Sequence, residues 1–324
     1  MSKRFSGIGV WFSAWFRRRT GRSKLPTAVG DHQAQKRFIE QNAAFLHEYP
    51  RLNDLSKKLF LRALRQPDQQ EVKRLSQLPE DDPEVVAFED KMTADRVIFY
   101  LGRMAVDDFG EILTLAGNGR GFGAYKIVRG MYERIVTALY LEKNPAEARA
   151  FAESSAITKL NYLKRTFEAS PDSRERFSEE FMQAIEQDAA SAEAKRKQSI
   201  CPKCRQPITQ EAWTRLSLDV MAKAAEPALE IFYPQFYLEG TAQSHANMFG
   251  IERRLIRKDG GITYKEVSEE EARFAVHLGH HLMVRLLAMQ NRYFTLGFDD
   301  EVRERIDAFV SVWGSNPVSP PESE

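Results

Sequence analysis

Arg129 and Glu133 stand four residues apart inside a run whose apolar positions, Val128, Met131, Tyr132, Ile135, Val136, Leu139 and Tyr140, recur every three or four residues. A guanidinium and a carboxylate beside a core-facing stripe are costly to desolvate unless they are satisfied, so this pair is the first place to look for chemistry. In an active centre Arg129 would orient an anionic group and Glu133 would hold the arginine. The base would come from elsewhere in the chain. His245 is one candidate, because it follows Ser244 in QFYLEGTAQSHANMFG. An imidazole of near-neutral pKa beside a hydroxyl serves as a general base or holds a loop.

The densest polar group is Arg273, His277, His280 and His281, near the start of a helical pattern over 269–290. Arg273 and His280, with six residues between them, fit an Arg-x(4–6)-His spacing that resembles the HEPN class of helical, metal-independent ribonucleases. That resemblance implies an arginine and a histidine from two subunits meeting in a cleft and cleaving RNA by acid–base chemistry. Phe274 stands where a polar residue usually follows the arginine. The competing reading is a histidine-rich helix face buried in the core or against a partner, and the permissive spacing favours it.

Cys201-x-x-Cys204, with Pro202 between the thiols, supplies two of the four ligands that a tetrahedral zinc requires. Two completions are open for one structural zinc. A second chain can donate its own cysteine pair, or His277 and His281, one helical turn apart, can supply two nitrogens. A metal-free turn is the third reading. Two cysteines three positions apart make no secreted disulfide framework, which points to a reducing cytoplasm.

The 324 residues allow two domains or one large one, and 43% apolar content is enough for a sizeable core. Net charge is +1, yet residues 1–30 hold seven basic side chains and no acid, so the remainder carries −6. A mildly acidic body argues against a broad nucleic-acid surface. The tail places Phe5, Ile8, Trp11, Phe12, Trp15 and Phe16 at helical spacing and follows them with Arg17, Arg18 and Arg19. Its apolar run is about half the ~20 residues needed to cross a bilayer, and three arginines replace a signal cleavage site. An interfacial helix at an anionic inner-membrane surface, a plug in a partner's groove, and aromatics packed on the chain's own body are the remaining readings of residues 1–24.

The elements that must position these groups are helical. After a tail and linker over 1–30, helices are expected over 31–82, with one ending before Pro50. Asp82-Pro83 then opens a long helix, the N-cap acid preceding a proline at the first helical position. Gly117, Gly119, Gly121 and Gly123 read as a hinge between antiparallel helices, since no second strand follows to complete a dinucleotide unit. Asn144-Pro145 starts another helix. The main bundle spans 83–298, with the CxxC insert near 189–210 and a hairpin near 252–267 around Asp259-Gly260-Gly261. Ser268-x-x-Glu271 is a capping box, and 299–324 holds a last helix and a proline- and serine-rich tail. The fold class is therefore all-α, a bundle of roughly eight to ten helices with one small β-hairpin.

The run VRGMYERIVTALYLEKNPAEARAF, with Arg129 and Glu133, resembles the core helix of an uncharacterised bacterial all-helical family, a domain of unknown function. The later Trp213, Tyr233, Tyr237, Ser244 and His245 resemble its second signature. The similarity covers approximately residues 85–290. It implies the fold and the choice of Arg129, Glu133 and His245, and no activity. Two functions fit this reading. One is a cytoplasmic effector in phage defence or a toxin–antitoxin setting, a homo-oligomer cleaving RNA without metal. The other is a non-catalytic interaction or regulatory protein, zinc-stapled through its CxxC and docking a partner protein or membrane by its tail.

Overall fold

A computed structural model describes residues 32–63, 68–195, 198–200, 207–209, 213–214, 216–258, 260–265 and 267–314. The basic aromatic tail, the segment carrying Cys201 and Cys204, and the residues after Gly314 lie outside them. In chain order the elements are α1 (His32–Gln41), α2 (Ala43–Ala63), α3 (Gln69–Leu75), α4 (Pro83–Gly117) and α5 (Gly121–Lys143). A 3-10 turn (Pro145–Glu147), α6 (Ala148–Ala169), a second 3-10 turn (Pro171–Arg176) and α7 (Glu179–Lys195) follow. Then come β1 (Gln198–Ile200), β2 (Pro207–Thr209), α8 (Leu218–Ala225), α9 (Pro227–Ile231), a π turn (Pro234–Leu238), α10 (Glu239–Ser244) and α11 (Met248–Glu252). The chain continues through β3 (Leu255–Lys258), β4 (Gly261–Tyr264), α12 (Glu269–Tyr293) and α13 (Asp299–Trp313).

The centre is α5, packed between α4 and α12, with α8, the π turn and α10 against its remaining side. Every position of its predicted stripe is buried, and Phe122, Ala124, Tyr125, Ala138 and Leu141 are buried as well. A helix apolar nearly all round belongs inside a bundle. One continuous cluster joins Phe38, Phe45 and Leu52 from the first helices to Ile135, Leu282 and Phe309. A small second cluster, Ile157, Ala189 and Ala192, holds α6 against α7.

Local signals set several boundaries as the spacing predicts. The Asp82 carboxylate accepts from the Glu84 N–H at 2.9 Å, with Pro83 at the first helical position. The Ser268 hydroxyl accepts from the Glu271 N–H at 3.3 Å and opens α12. The β3–β4 hairpin pairs Leu255 with Tyr264 and Lys258 with Gly261. The glycine hinge has a second duty. Gly119 sits at φ +70°, and a Cβ there would lie 2.6 Å from Val267 Cγ1. A Cβ on Gly121 would collide with the backbone of Glu271 and Ala272, so the turn seats directly on the start of α12.

Four boundaries differ from expectation. Helix α2 runs through Pro50, and the break comes earlier, at Asn42, whose amide donates to the Phe38 carbonyl at 2.9 Å. The stripe Phe45, Leu52, Leu55 and Leu59 is buried along α2, and burying it as one surface offsets the backbone bond that proline forfeits. Asn144-Pro145 opens a 3-10 turn rather than α6 itself. Prolines at 227 and 234 divide the stretch before the hairpin into short helices, so the helices exceed ten. A second antiparallel pairing, Gln198–Ile200 with Pro207–Thr209, stands at either end of the cysteine segment.

The two kinds of glycine predict opposite outcomes. Gly121→Ala should destabilise by about 1–3 kcal/mol, because the neighbouring backbone must move. Gly110→Ala, where a Cβ would meet nothing within 4 Å, should stabilise α4 by about 0.5–1 kcal/mol. Denaturant midpoints of the two variants check this, and the reverse order would refute the seating of the hinge on α12.

Candidate functional site

Arg129 leaves the buried face of α5 toward the π turn. Its Nη2 donates to Glu133 Oε1 at 3.1 Å and to the Tyr237 hydroxyl at 3.3 Å. The guanidinium carbon lies 4.8 Å from the centre of the Tyr237 ring, within cation–π range. Burial works against the charge, but the Tyr237 hydrogen bond and Glu133 outweigh it and raise the pKa of Arg129 above its ordinary value. Its Nε is buried and without a hydrogen-bond partner.

Aromatic packing sets the position of that tyrosine. Tyr233 stacks on Tyr237 with centres 5.0 Å apart, and Tyr132 stacks on Phe236 at 5.2 Å with planes only 10° apart. The buried Tyr132 hydroxyl donates to the Leu229 carbonyl at 2.8 Å. Gly240 then lets α10 touch α5, since a Cβ would stand 2.5 Å from Arg129 Cβ and 2.8 Å from the Tyr125 carbonyl oxygen. The widened π turn places Tyr233, Phe236 and Tyr237 against α5 together, an arrangement that frequently marks functional segments.

His245 does not join this group. It ends α10, is exposed, and its imidazole makes no hydrogen bond or ion pair. The Ser244 hydroxyl donates back to the Gly240 carbonyl at 2.7 Å instead of meeting the imidazole. His245 lies eight positions beyond Tyr237, about 12 Å of helix rise.

The histidines of α12 face inward. His280 is 0% exposed, and its Nδ1 accepts from the Trp313 indole N–H at 3.0 Å, while its Nε2 is buried without a partner. Phe45 and Phe309 enclose the same ring. His277 stacks on Trp313 with centres 4.9 Å apart, and its Nε2 also lacks a partner. His281 accepts from Arg285 Nε at 2.5 Å, and Arg285 pairs in turn with Glu226. Burial lowers the pKa of His277 to about 4 and those of His280 and His281 to about 3. All three are neutral at pH 7. Arg273 is exposed two turns away from His280, so the spaced pair occupies two different environments.

Cys201 and Cys204 lie outside the described residues. Among the described residues, no group of three or more His, Cys, Asp or Glu side chains is placed to hold a metal ion.

Several polar arrangements escape the sequence reading. Arg253 bridges Glu239 at 3.2 Å and Glu271 at 3.5 Å, and burial raises the pKa of Glu271. Arg134 meets Asp108 at 2.6 Å, and burial raises Asp108 to about 6. Glu48 and Arg305 form a buried pair between α2 and α13. Only the Arg285 partner of His281 had a local signal, its spacing of four.

The fold and this site define an all-helical bundle protein in which a charged pair on the central helix is tied to an aromatic π turn. The chain belongs to the family of unknown function DUF5677, which matches residues 95–262, just over half of its length. No curated protein and no solved structure matches it. The matched span contains Arg129, Glu133, Tyr237, Ser244 and His245, and ends before Arg273 and the histidines of α12.

The buried imidazoles make stability depend on pH. Their pKa values fall from about 6.5 unfolded to about 3–4 folded, so the unfolded state binds more protons below pH 6.5. Stability is complete above pH 6.5 and declines toward pH 4, by up to about 1.4 kcal/mol per pH unit for each histidine. Removing the unpartnered His277 as His277→Phe should shallow that slope by about one histidine's share. Urea titrations between pH 4 and 7 measure it, and an unchanged slope would count against the burial of His277.

Proposed function

We propose that the protein is a non-catalytic helical interaction protein that acts through self-association. One observation carries this reading. Between Met248 and Tyr264, seven large apolar side chains are exposed, among them Met248 at 62% and Ile262 at 69%. Exposed apolar surface of this kind marks contact sites on soluble proteins. The register puts Leu255 and Tyr264 on one hairpin face with Ile262 and Arg257, and all of β4 is exposed. Each strand of a two-stranded sheet also keeps one unpaired edge, which is a template for pairing with a second copy. Zinc belongs to the same reading, because cysteine pairs from two subunits make the four thiolates of a tetrahedral site.

A catalytic reading draws on His245, whose exposed imidazole is uncommitted. It lacks a second group at hydrogen-bond distance, and the enclosed His280 is out of reach of an RNA phosphate. No helix among the described residues is long and apolar enough to cross a membrane.

Sedimentation velocity distinguishes the readings. The wild-type chain should self-associate, and Ile262→Asp with Tyr264→Asp should raise the dimer dissociation constant at least about tenfold, or about 1.4 kcal/mol, with unchanged helicity. A wild-type chain that stays monomeric, or RNA turnover abolished by His245→Ala, would overturn the proposal.

A further inference from the structure

A groove of about 930 Å³ runs between α2 and α4, away from the hairpin. Its walls are aromatic, from Tyr49, Phe60, Phe99 and Tyr100, and Tyr100 is 57% exposed. Part of its polar lining is uncommitted, while the Thr114 hydroxyl donates to the Gly110 carbonyl at 2.9 Å. Ser56, a buried residue, and Asn53 make no side-chain hydrogen bond, although helical serines commonly bond back to the preceding turn. Lys57 and Arg103 sit within one turn of Phe60 and Tyr100, and the acids Asp107 and Glu111 lie further along α4. Arg103 and Asp107 pair at 3.0 Å, whereas Glu111, one turn further on, is exposed and without an ion-pair partner. Lys57 is held by Asp54 at 3.9 Å. An aromatic trough with free acceptors and an acid at one end suits indole rings, which need one acceptor each, followed by cations.

A segment of that composition stands in the chain's own first residues. Phe5 to Phe16 contains Trp11 and Trp15 and runs directly into Arg17, Arg18 and Arg19. We infer that residues 5–19 of the same chain dock in the α2–α4 groove, the indoles between Phe60 and Tyr100 and the arginines at Glu111.

Length and direction agree with this assignment. From Phe99 to Thr114 the groove follows α4 for about 22 Å, and the twelve residues from Phe5 to Phe16 span about 18 Å as a helix. The described chain resumes at His32, beside the Glu111 end, where the Gln35 amide donates to Asn118 at 2.8 Å and Phe38 packs against Gly117. Thus the arginines, being nearer His32 in sequence, reach the acidic end first, and the tryptophans extend beyond them. The residues between Arg19 and His32 are more than enough to bridge the gap.

The full-length chain labelled with 5-fluorotryptophan tests the assignment by fluorine NMR. Trp11→Phe and Trp15→Phe assign the two tail resonances, and those of Trp213 and Trp313 report the fold. Docking predicts that a soluble gadolinium chelate broadens both tail resonances several-fold less than in the exposed-surface variant Tyr100→Glu, with the core resonances unchanged. Glu111→Lys should give the same deprotection to a lesser degree. Equal broadening in wild type and variants would overturn the inference. Protection lost on dilution would assign the groove to a second copy's tail, and protection seen only with phosphatidylserine vesicles would assign the tail to a membrane. Both outcomes reject docking within the chain.

Discussion

Burial of α5 on nearly every side is the constraint from which the rest of the structure follows. A helix that buries Val128, Met131, Tyr132, Ile135 and Val136 must be surrounded, so α4, α12 and the 218–244 stretch are all drawn onto it. Close approach then demands glycine wherever a neighbouring backbone touches, at Gly121 against α12 and at Gly240 against α5. Enclosure also decides what happens to Arg129. Its charge is placed at the rim of the packed surface, where Glu133 and the Tyr237 ring and hydroxyl replace much of the water it loses.

The balance between local and remote determinants explains what could be read from residues alone. The stripe from Val128 to Tyr140, the Arg129–Glu133 spacing, the Asp82-Pro83 start and the Ser268 cap are each written within one or two turns, and each is found in the fold. Tyr237 as the third member of the tie was not legible. Its position depends on a π turn whose widened backbone shifts the register by one residue, and no apolar periodicity reports that shift. Pro50 misled because its local cost is fixed while the compensating burial of Phe45, Leu52 and Leu59 comes from distant helices. The three histidines posed the opposite difficulty. Their spacing is as compatible with a reactive cleft as with a core, and only Trp313 and Phe309, from α13, separate the two.

The polar groups of the interior therefore divide into two kinds. Along α5 and the π turn, charge is retained at a boundary and shared among aromatic rings, inside the span that defines the family. Along α12, imidazoles are kept neutral and packed as aromatic rings among Phe45, Phe309 and Trp313, beyond that span. Such rings contribute packing area at the expense of unsatisfied nitrogens, which ties their contribution to the proton concentration. Seven of the exposed large apolar side chains gather on α11 and the hairpin, apart from both of these groups.

The layer over His280 is built from opposite ends of the described chain. Phe45 and Glu48 come from α2, while Arg305, Phe309 and Trp313 come from α13, and the Glu48–Arg305 pair spans 257 positions. Ribosomal synthesis delivers these parts at widely separated times. Until α13 leaves the exit tunnel, the ring faces of α12 and α2 have no cover, and the nascent bundle presents a sticky aromatic surface to its surroundings. Chaperone engagement during translation should accordingly persist until the last helix has emerged and closed that face.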